Sequence, residues 1–172
     1  MVLGGLIENE IFGEIKKYKY FEDLPNIDSY VKFGESIKAV RNMQLGSPEK
    51  PSKFVPKDLK KNIEQLFLRD TGKEINILFY TAVGSHLDRY HGIDGFFEIN
   101  EDGRKVIVTM DVTANPNKDS YKADIILSVP RDGIDDVDEG YKEFIELYAR
   151  RIERAFLTKM EEGGILVTKQ VA

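Results

Sequence analysis

The fold is decided by residues 92–113, which have the sequence GIDGFFEINEDGRKVIVTMDVT. Both halves are rich in β-branched and aromatic residues, and the NEDG in the middle has the composition of a tight turn, so the stretch predicts two antiparallel strands. With the turn centred between Asp102 and Gly103, residue 94 pairs with residue 111. Asp94 and Asp111 are therefore expected to lie opposite each other. Two carboxylates so placed repel each other unless a cation, a proton or a basic group lies between them.

The sequence on either side of this hairpin predicts further strands and helices. Strands are expected at residues 75–83 and 123–129, with a short last strand at 165–168. Helices with one apolar face are expected at residues 57–70 and 138–161. The predicted fold class is therefore α+β, with a central, mostly antiparallel sheet of four to five strands flanked by helices.

The N-terminal part predicts a separate helical segment. Apolar residues at helical spacing, among them Ile7, Ile11 and Ile15, predict one helix, and a second is expected after Asp28. Residues 45–56 contain three prolines and a Gly-Ser step, which are typical of a loop and of a hinge. The chain is therefore divided into an N-terminal helical appendage, residues 1–45, and a core domain, residues 57–172.

Composition narrows the class of protein. The chain has 172 residues and no cysteine, which excludes disulfides, thiolate zinc sites and cysteine nucleophiles. No apolar run is long enough to span a bilayer, and the first residues lack the layout of a secretory signal. These features predict a cytoplasmic protein that does not enter the membrane.

Charge is distributed unevenly along the chain. The net charge is −5, but basic residues cluster within 50–73 and 150–159, while acidic residues cluster within 132–146. An acidic protein of this kind can still present a basic groove to nucleic acid. The same clusters are also typical of solvated helix faces, so both interpretations stay open. Nucleic acid is the expected partner, together with a second copy of the chain in a homodimer.

The segment from Ser85 to His91 is polar and is predicted to be a loop. It contains both histidines of the protein, His86 and His91. Two histidines at this spacing are not a zinc signature without further ligands. Beside Asp94 they are expected to form hydrogen bonds or to face the substrate, because histidine suits acid–base work and phosphate contact near neutral pH.

The order of these elements carries a resemblance. Residues 57–168 resemble the PD-(D/E)XK nuclease superfamily. The resemblance lies in the order of the elements: an amphipathic helix, then strands, and then a helix and a strand. Within the strands, one acid stands at the start of a strand and another stands late in the next strand. The resemblance implies that Asp94 is the first metal-binding aspartate and Asp111 the second acid. It also implies that Glu64, on the preceding helix, is an additional acid, and that the metal is Mg²⁺ or Mn²⁺.

The lysine of the family motif is replaced in this chain. Thr113 stands two residues after Asp111, where the family has its lysine. By the resemblance, Lys118 or Lys122 is expected to reach the site from the following turn and to act as the catalytic cation. Thr113 and Asn115 join His86 and His91 as expected substrate-binding residues.

The function expected from these features is that of a Mg²⁺-dependent endonuclease that hydrolyses phosphodiester bonds of DNA. A second interpretation is a catalytically inactive module of the same fold, from a phage or mobile element, that binds nucleic acid or protein. A third is a structural or interaction protein in which Asp94 and Asp111 face water. A fourth is a ligand-binding module in which Phe96 and Phe97 form a pocket wall.

Overall fold

The computed structural model describes residues 2–16, 26–115, 117 and 122–165. In this part of the chain, helices and strands follow one another as α1 Val2–Phe12, α2 Phe33–Asn42, α3 Phe54–Thr71, β1 Ile77–Thr81, α4 His86–His91, β2 Gly95–Glu101, β3 Arg104–Thr113, β4 Ile125–Ser128 and α5 Tyr141–Glu162. The α+β prediction is confirmed, since a four-stranded sheet is flanked by helices and preceded by an N-terminal helix. The predicted last strand falls mainly on residues 166–168, which lie outside the described residues.

The central hairpin forms at the predicted turn. Asp102 and Gly103 have φ angles of 51° and 74°, the left-handed conformation that a two-residue hairpin turn requires at both positions. The register runs from Glu101 opposite Arg104 to Gly95 opposite Met110. Asp94, the residue before β2, also bonds Met110 through its backbone N, and its carboxyl group shares a hydrogen bond with Asp111.

The sheet order is β1-β2-β3-β4, in which the pairs β1–β2 and β2–β3 are antiparallel and the pair β3–β4 is parallel. The start of β4 is fixed by Asp124, whose Oδ2 accepts hydrogen bonds from the backbone N of Thr109 at 2.8 Å and from its Oγ1 at 2.9 Å. Lys159 of α5 donates to the same oxygen at 2.6 Å. The carboxyl ends of β3 and β4 therefore meet at the edge of the sheet where β2 begins.

Both faces of the sheet are covered. One face packs against α1, α3 and α5 in a core that includes Phe97, Val108, Leu59 and Phe156. The other face packs against α2 and α4. Strand alternation sends odd-numbered residues of β2 to the first face and even-numbered residues to the second. By the same alternation in β3, Asp111 belongs to the face that α2 and α4 cover, whereas Asp94 lies just before β2.

Helix α1, which belongs to the segment predicted to be an appendage, contributes to the same core. Ile7, Ile11 and Phe12 of α1 lie in one buried cluster with Phe97 and Met110 of the sheet. The apolar stripe that predicted the first helix is thus buried against the sheet.

The outer edge of β1 is covered by Gln44 and by Pro48, of which Pro48 belongs to the segment predicted to be a hinge. The side-chain amide of Gln44 donates to the carbonyl O of Thr81 at 2.9 Å and accepts from its backbone N at 3.1 Å. The carbonyl O of Pro48 accepts from the backbone N of Phe79 at 3.0 Å. These bonds satisfy backbone groups that an open edge strand would leave unpaired.

Helix α2 is tied to the sheet by a buried ion pair. Glu98 of β2 is 2% exposed, and its Oε2 lies 2.6 Å from Nη2 and 2.8 Å from Nε of Arg41. Lys105 lies further away, with its Nζ 3.9 Å from Oε1 of Glu98. Burying a carboxylate requires such a partner, because its hydration is lost.

Candidate metal centre

Asp94 is held rigidly at the start of β2. Its side chain is buried, Oδ2 accepts a hydrogen bond from the backbone N of Val112 at 2.7 Å, and the carboxyl group shares a hydrogen bond with the buried side chain of Asp111. Its backbone N donates to the carbonyl O of Met110 at 2.8 Å, and its carbonyl O accepts from the backbone N of Ala82 at 2.7 Å. Both neighbouring strands therefore fix the position of this carboxylate.

Two further carboxylates complete the cluster. Glu8, Asp88 and Asp94 each offer one carboxylate oxygen, and these three oxygens lie within 4.8 Å of one another. Together with Asp111, these residues form what we term the carboxylate cluster. Its members come from α1, from α4, from the residue before β2 and from β3, so it exists only in the folded chain.

Helix α1 approaches the sheet closely at Gly95. A Cβ atom on Gly95 would lie 3.0 Å from Cδ2 of Phe12 and 3.1 Å from the carbonyl O of Tyr80. Carbon atoms pack at about 3.5–4.0 Å, so only glycine leaves room for the Phe12 ring here. Glu8 precedes Phe12 by one helical turn and shares its face of α1, which places the Glu8 carboxylate beside Asp94.

Helix α4 supplies Asp88, and the prediction of a loop over residues 85–91 was wrong here. Ser85 caps this helix, because its Oγ accepts from the backbone N of Asp88 at 3.2 Å. Oδ2 of Asp88 in turn accepts from the backbone N of Gly84 at 2.8 Å. The helix spans only six residues, so it is too short to be predicted from the spacing of its apolar residues. The available signal was Ser85 followed three residues later by Asp88, a pattern typical of helix starts.

The surroundings of Asp94 favour its protonated form. Burial, the hydrogen bond with Asp111 and the charge of Glu8 raise its pKa to about 10, against an ordinary value of 3.8, while the bond from Val112 N lowers it. A neutral carboxyl group can donate a hydrogen bond to its neighbour, whereas two carboxylates repel each other. At neutral pH a proton therefore occupies the position between carboxylates that a cation would otherwise take.

The donor set fits a hard divalent cation. Every member of the carboxylate cluster offers oxygen, which Mg²⁺ and Mn²⁺ prefer over the nitrogen and sulfur ligands of softer metals. Mg²⁺ is usually held by a few carboxylates and keeps several of its waters. Glu8, Asp88, Asp94 and Asp111 thus exceed the number of carboxylates that one such ion needs.

Glu64 lies away from the carboxylate cluster. It accepts hydrogen bonds from Lys60 of its own helix and from the backbone N of Ile77, the latter at 3.1 Å. Ile77 begins β1, whereas the cluster lies at the Thr81 end of that strand, next to Gly95. The resemblance assigned the additional acid to α3, but the structure brings an acid of α1 to Asp94.

Both histidines connect α4 to the segment before α2. Nε2 of His86 donates to the carbonyl O of Asn26 at 2.9 Å, and Nε2 of His91 donates to that of Val31 at 2.8 Å. His86 is buried and His91 is half-buried. These bonds give the histidines a structural role, and their expected contact with substrate stays a prediction.

The remaining predicted residues lie on the connection that follows β3. Oγ1 of Thr113 accepts from the backbone N of Asn115 at 3.0 Å, so both residues build the turn at the carboxyl end of β3. The stem of Lys122 packs on the backbone of Gly92, where its Cδ lies 3.6 Å from the position of a Cβ atom. Lys122 therefore approaches the chain two residues before Asp94. Lys118 lies outside the described residues.

Comparisons with protein-family models, with curated proteins and with solved structures gave no significant match to this chain. None of the helices that the structure describes is long and apolar enough to cross a membrane.

Proposed function

We propose that this protein is a metal-dependent nuclease that hydrolyses phosphodiester bonds of DNA. The observation that carries the proposal is the convergence of Glu8, Asp88 and Asp94 at the place where Asp94 bonds Asp111. Asp94 and Asp111 are buried and Glu8 and Asp88 are half-buried, so grouping these carboxylates is costly, and a bound cation relieves that cost. The cluster lies at the carboxyl end of β3, next to the residue that precedes β2.

The four carboxylates of the cluster are proposed to be the metal ligands. Asp94 and Asp111 would hold the metal from the side of the sheet, and Glu8 and Asp88 would hold it from α1 and α4. When bound, Mg²⁺ lowers the pKa of a coordinated water and stabilises the charge that develops on the phosphate. The backbone N of Val112 keeps Asp94 in one orientation, because it donates to Oδ2 at 2.7 Å. Metal binding also requires Asp94 to release its proton, so affinity is expected to rise with pH.

Lys122 is the proposed source of positive charge at the phosphate. Its stem is seated on Gly92, and the length of the lysine side chain allows the ammonium group to extend toward a substrate bound at Asp94. A cation at this point would stabilise the oxyanion of the transition state. Lys122 would take the role of the lysine that the family motif has at the position of Thr113 in β3.

Cleavage assays test the proposal directly. Purified protein is incubated with plasmid, single-stranded and branched DNA in the presence of Mg²⁺, Mn²⁺ or a chelator. We expect cleavage with metal only, reduced by more than ~100-fold in Asp111→Asn, since loss even of outer-shell partners of a metal costs 10–100-fold.

A matched control is Asp102→Asn, which makes the same chemical change in the hairpin turn, where asparagine also tolerates a positive φ. This control is expected to cleave like the wild type. Absence of cleavage from every substrate, or equal cleavage by Asp111→Asn, would contradict the proposal. Metal binding without any cleavage would instead favour the inactive nucleic-acid-binding or protein-binding module.

A further inference from the structure

Aromatic side chains gather beside α4 on the surface of the protein. Tyr30 and Phe33 are 65% and 42% exposed, whereas the other described phenylalanines and tyrosines are buried or half-buried. The ring centroid of Tyr30 lies 5.7 Å from that of Tyr90 and 5.6 Å from that of His91, and Phe33 lies 5.6 Å from His91. These four residues are termed the aromatic patch.

The aromatic patch is held in place by α4 itself. Nε2 of His91 donates to the carbonyl O of Val31, the residue that follows Tyr30. Tyr90 also packs on His86, with ring centroids 6.0 Å apart. The rings are therefore arranged before any ligand arrives, which lowers the entropic cost of binding.

Cations alternate with the rings. Lys32 is exposed between Tyr30 and Phe33 in the sequence. Arg89 is half exposed, pairs with Asp28 at 2.9 Å and lies with its guanidinium carbon 5.8 Å from the centre of the Tyr90 ring. Rings that stack on bases, interleaved with cations that contact phosphates, are typical of surfaces that bind single-stranded nucleic acid.

The aromatic patch and the carboxylate cluster share one helix. Asp88 belongs to the cluster, and Tyr90 and His91 follow it by two and three residues on α4. An α-helix with its side chains is about 10–12 Å across, so the aromatic patch and the carboxylate cluster are separated by a distance of this order. Stacked nucleotides rise about 3.4 Å each along a strand, so about three of them bridge this distance.

We propose that the aromatic patch binds unpaired bases of a single-stranded nucleic acid whose backbone continues to the carboxylate cluster. The inference rests on the proposed nuclease function and adds the substrate class. In a duplex the faces of the bases are covered by their neighbours, so exposed rings gain contacts only from unpaired bases. A second copy docked symmetrically on the same patch would bring the Lys32 and Arg89 side chains of both copies into one interface, where like charges repel.

Binding by a variant that does not cleave tests this inference separately from catalysis. Asp94→Asn protein is titrated, by fluorescence anisotropy, into a labelled 20-nucleotide single strand and into the duplex of the same sequence. Adding Tyr30→Ala is expected to weaken single-strand binding about tenfold, because the stacking of one base on the Tyr30 ring is lost. Binding to the duplex is expected to stay unchanged. The matched control is Leu68→Ala, which truncates another exposed apolar side chain, on α3.

Three results would overturn the inference. The first is single-strand binding that Tyr30→Ala leaves unchanged, and the second is equal weakening for single strand and duplex. The third is a change in oligomeric state by analytical ultracentrifugation with binding unaffected, which would make the patch an interface between copies. A wild-type protein that binds through Tyr30 but never cleaves would contradict only the proposed nuclease function.

Discussion

Replacing Asp94 by asparagine is expected to lower metal-dependent cleavage by about a thousandfold while the protein stays folded. The asparagine side chain can still accept the hydrogen bond that Val112 N gives to Oδ2 at 2.7 Å. Its NH₂ group can still donate to Asp111, as the protonated Asp94 does. Asparagine therefore copies the neutral form of Asp94 but lacks the charge that holds a cation. Initial rates with Mn²⁺ and single-stranded DNA measure the loss.

The same variant is expected to be the more stable protein at high pH when no metal is present. Asp94 has a pKa of about 10 in the folded protein and an ordinary value of 3.8. The folded chain therefore keeps a proton that the unfolded chain releases, and this contribution to stability, complete below about pH 4, is lost as pH rises toward 10. Asparagine does not titrate, so its advantage grows with pH, by at most about 1.4 kcal/mol per unit for one proton.

Urea unfolding in a chelating buffer at pH 5, 7 and 9 measures this difference in free energy. A difference that does not change with pH would show that Asp94 is ionised in the metal-free protein. Asp102→Asn serves again as the control, because its carboxylate lies in the exposed hairpin turn. Loss of activity combined with unchanged or increased stability separates a functional residue from a structural one.

Replacing Arg41 by alanine is expected to destabilise the fold by about 3 kcal/mol, because it leaves a buried carboxylate without its main partner. Glu98 is 2% exposed, and both Nη2 and Nε of Arg41 contact its Oε2. Lys105 compensates weakly, since its Nζ lies 3.9 Å away and its side chain is half exposed. The free energy of unfolding in urea at pH 7 measures the effect.

A second substitution identifies the cause of this loss. Adding Glu98→Gln to Arg41→Ala removes the unpaired charge, so the double variant is expected to be more stable than Arg41→Ala alone. If Arg41→Ala costs less than about 1 kcal/mol, as an exposed ion pair would, the buried pair does not hold α2 on the sheet.

The part of the site that was predicted correctly depends on local sequence. Asp102 and Gly103 select a two-residue turn, and the turn sets the register of β2 and β3 up to Gly95 and Met110, next to Asp94 and Asp111. The strands and the longer helices were found for the same reason, because their patterns repeat within a few residues. The parallel direction of β4 was not predicted, since it is set by Asp124 and its contacts with Thr109 and Lys159.

The two helical acids depend on packing between distant parts of the chain. Glu8 reaches Asp94 because Phe12 rests on Gly95, a contact between residues that no local pattern connects. Glu64, and not Glu8, was predicted as the additional acid because its helix directly precedes the first strand. In the structure Glu64 lies at the other end of that strand. One signal was present in the sequence, since a glycine within a strand often marks close approach by another segment.

Metal binding measured by titration calorimetry tests the central claim most directly. Mn²⁺ is titrated into the wild type, Glu8→Gln and Glu64→Gln, which make the same change in two helices but at opposite ends of β1. The account predicts that the wild type binds Mn²⁺, that Glu8→Gln binds at least about tenfold more weakly, and that Glu64→Gln binds like the wild type. No binding by the wild type, or weakening by Glu64→Gln alone, would contradict it.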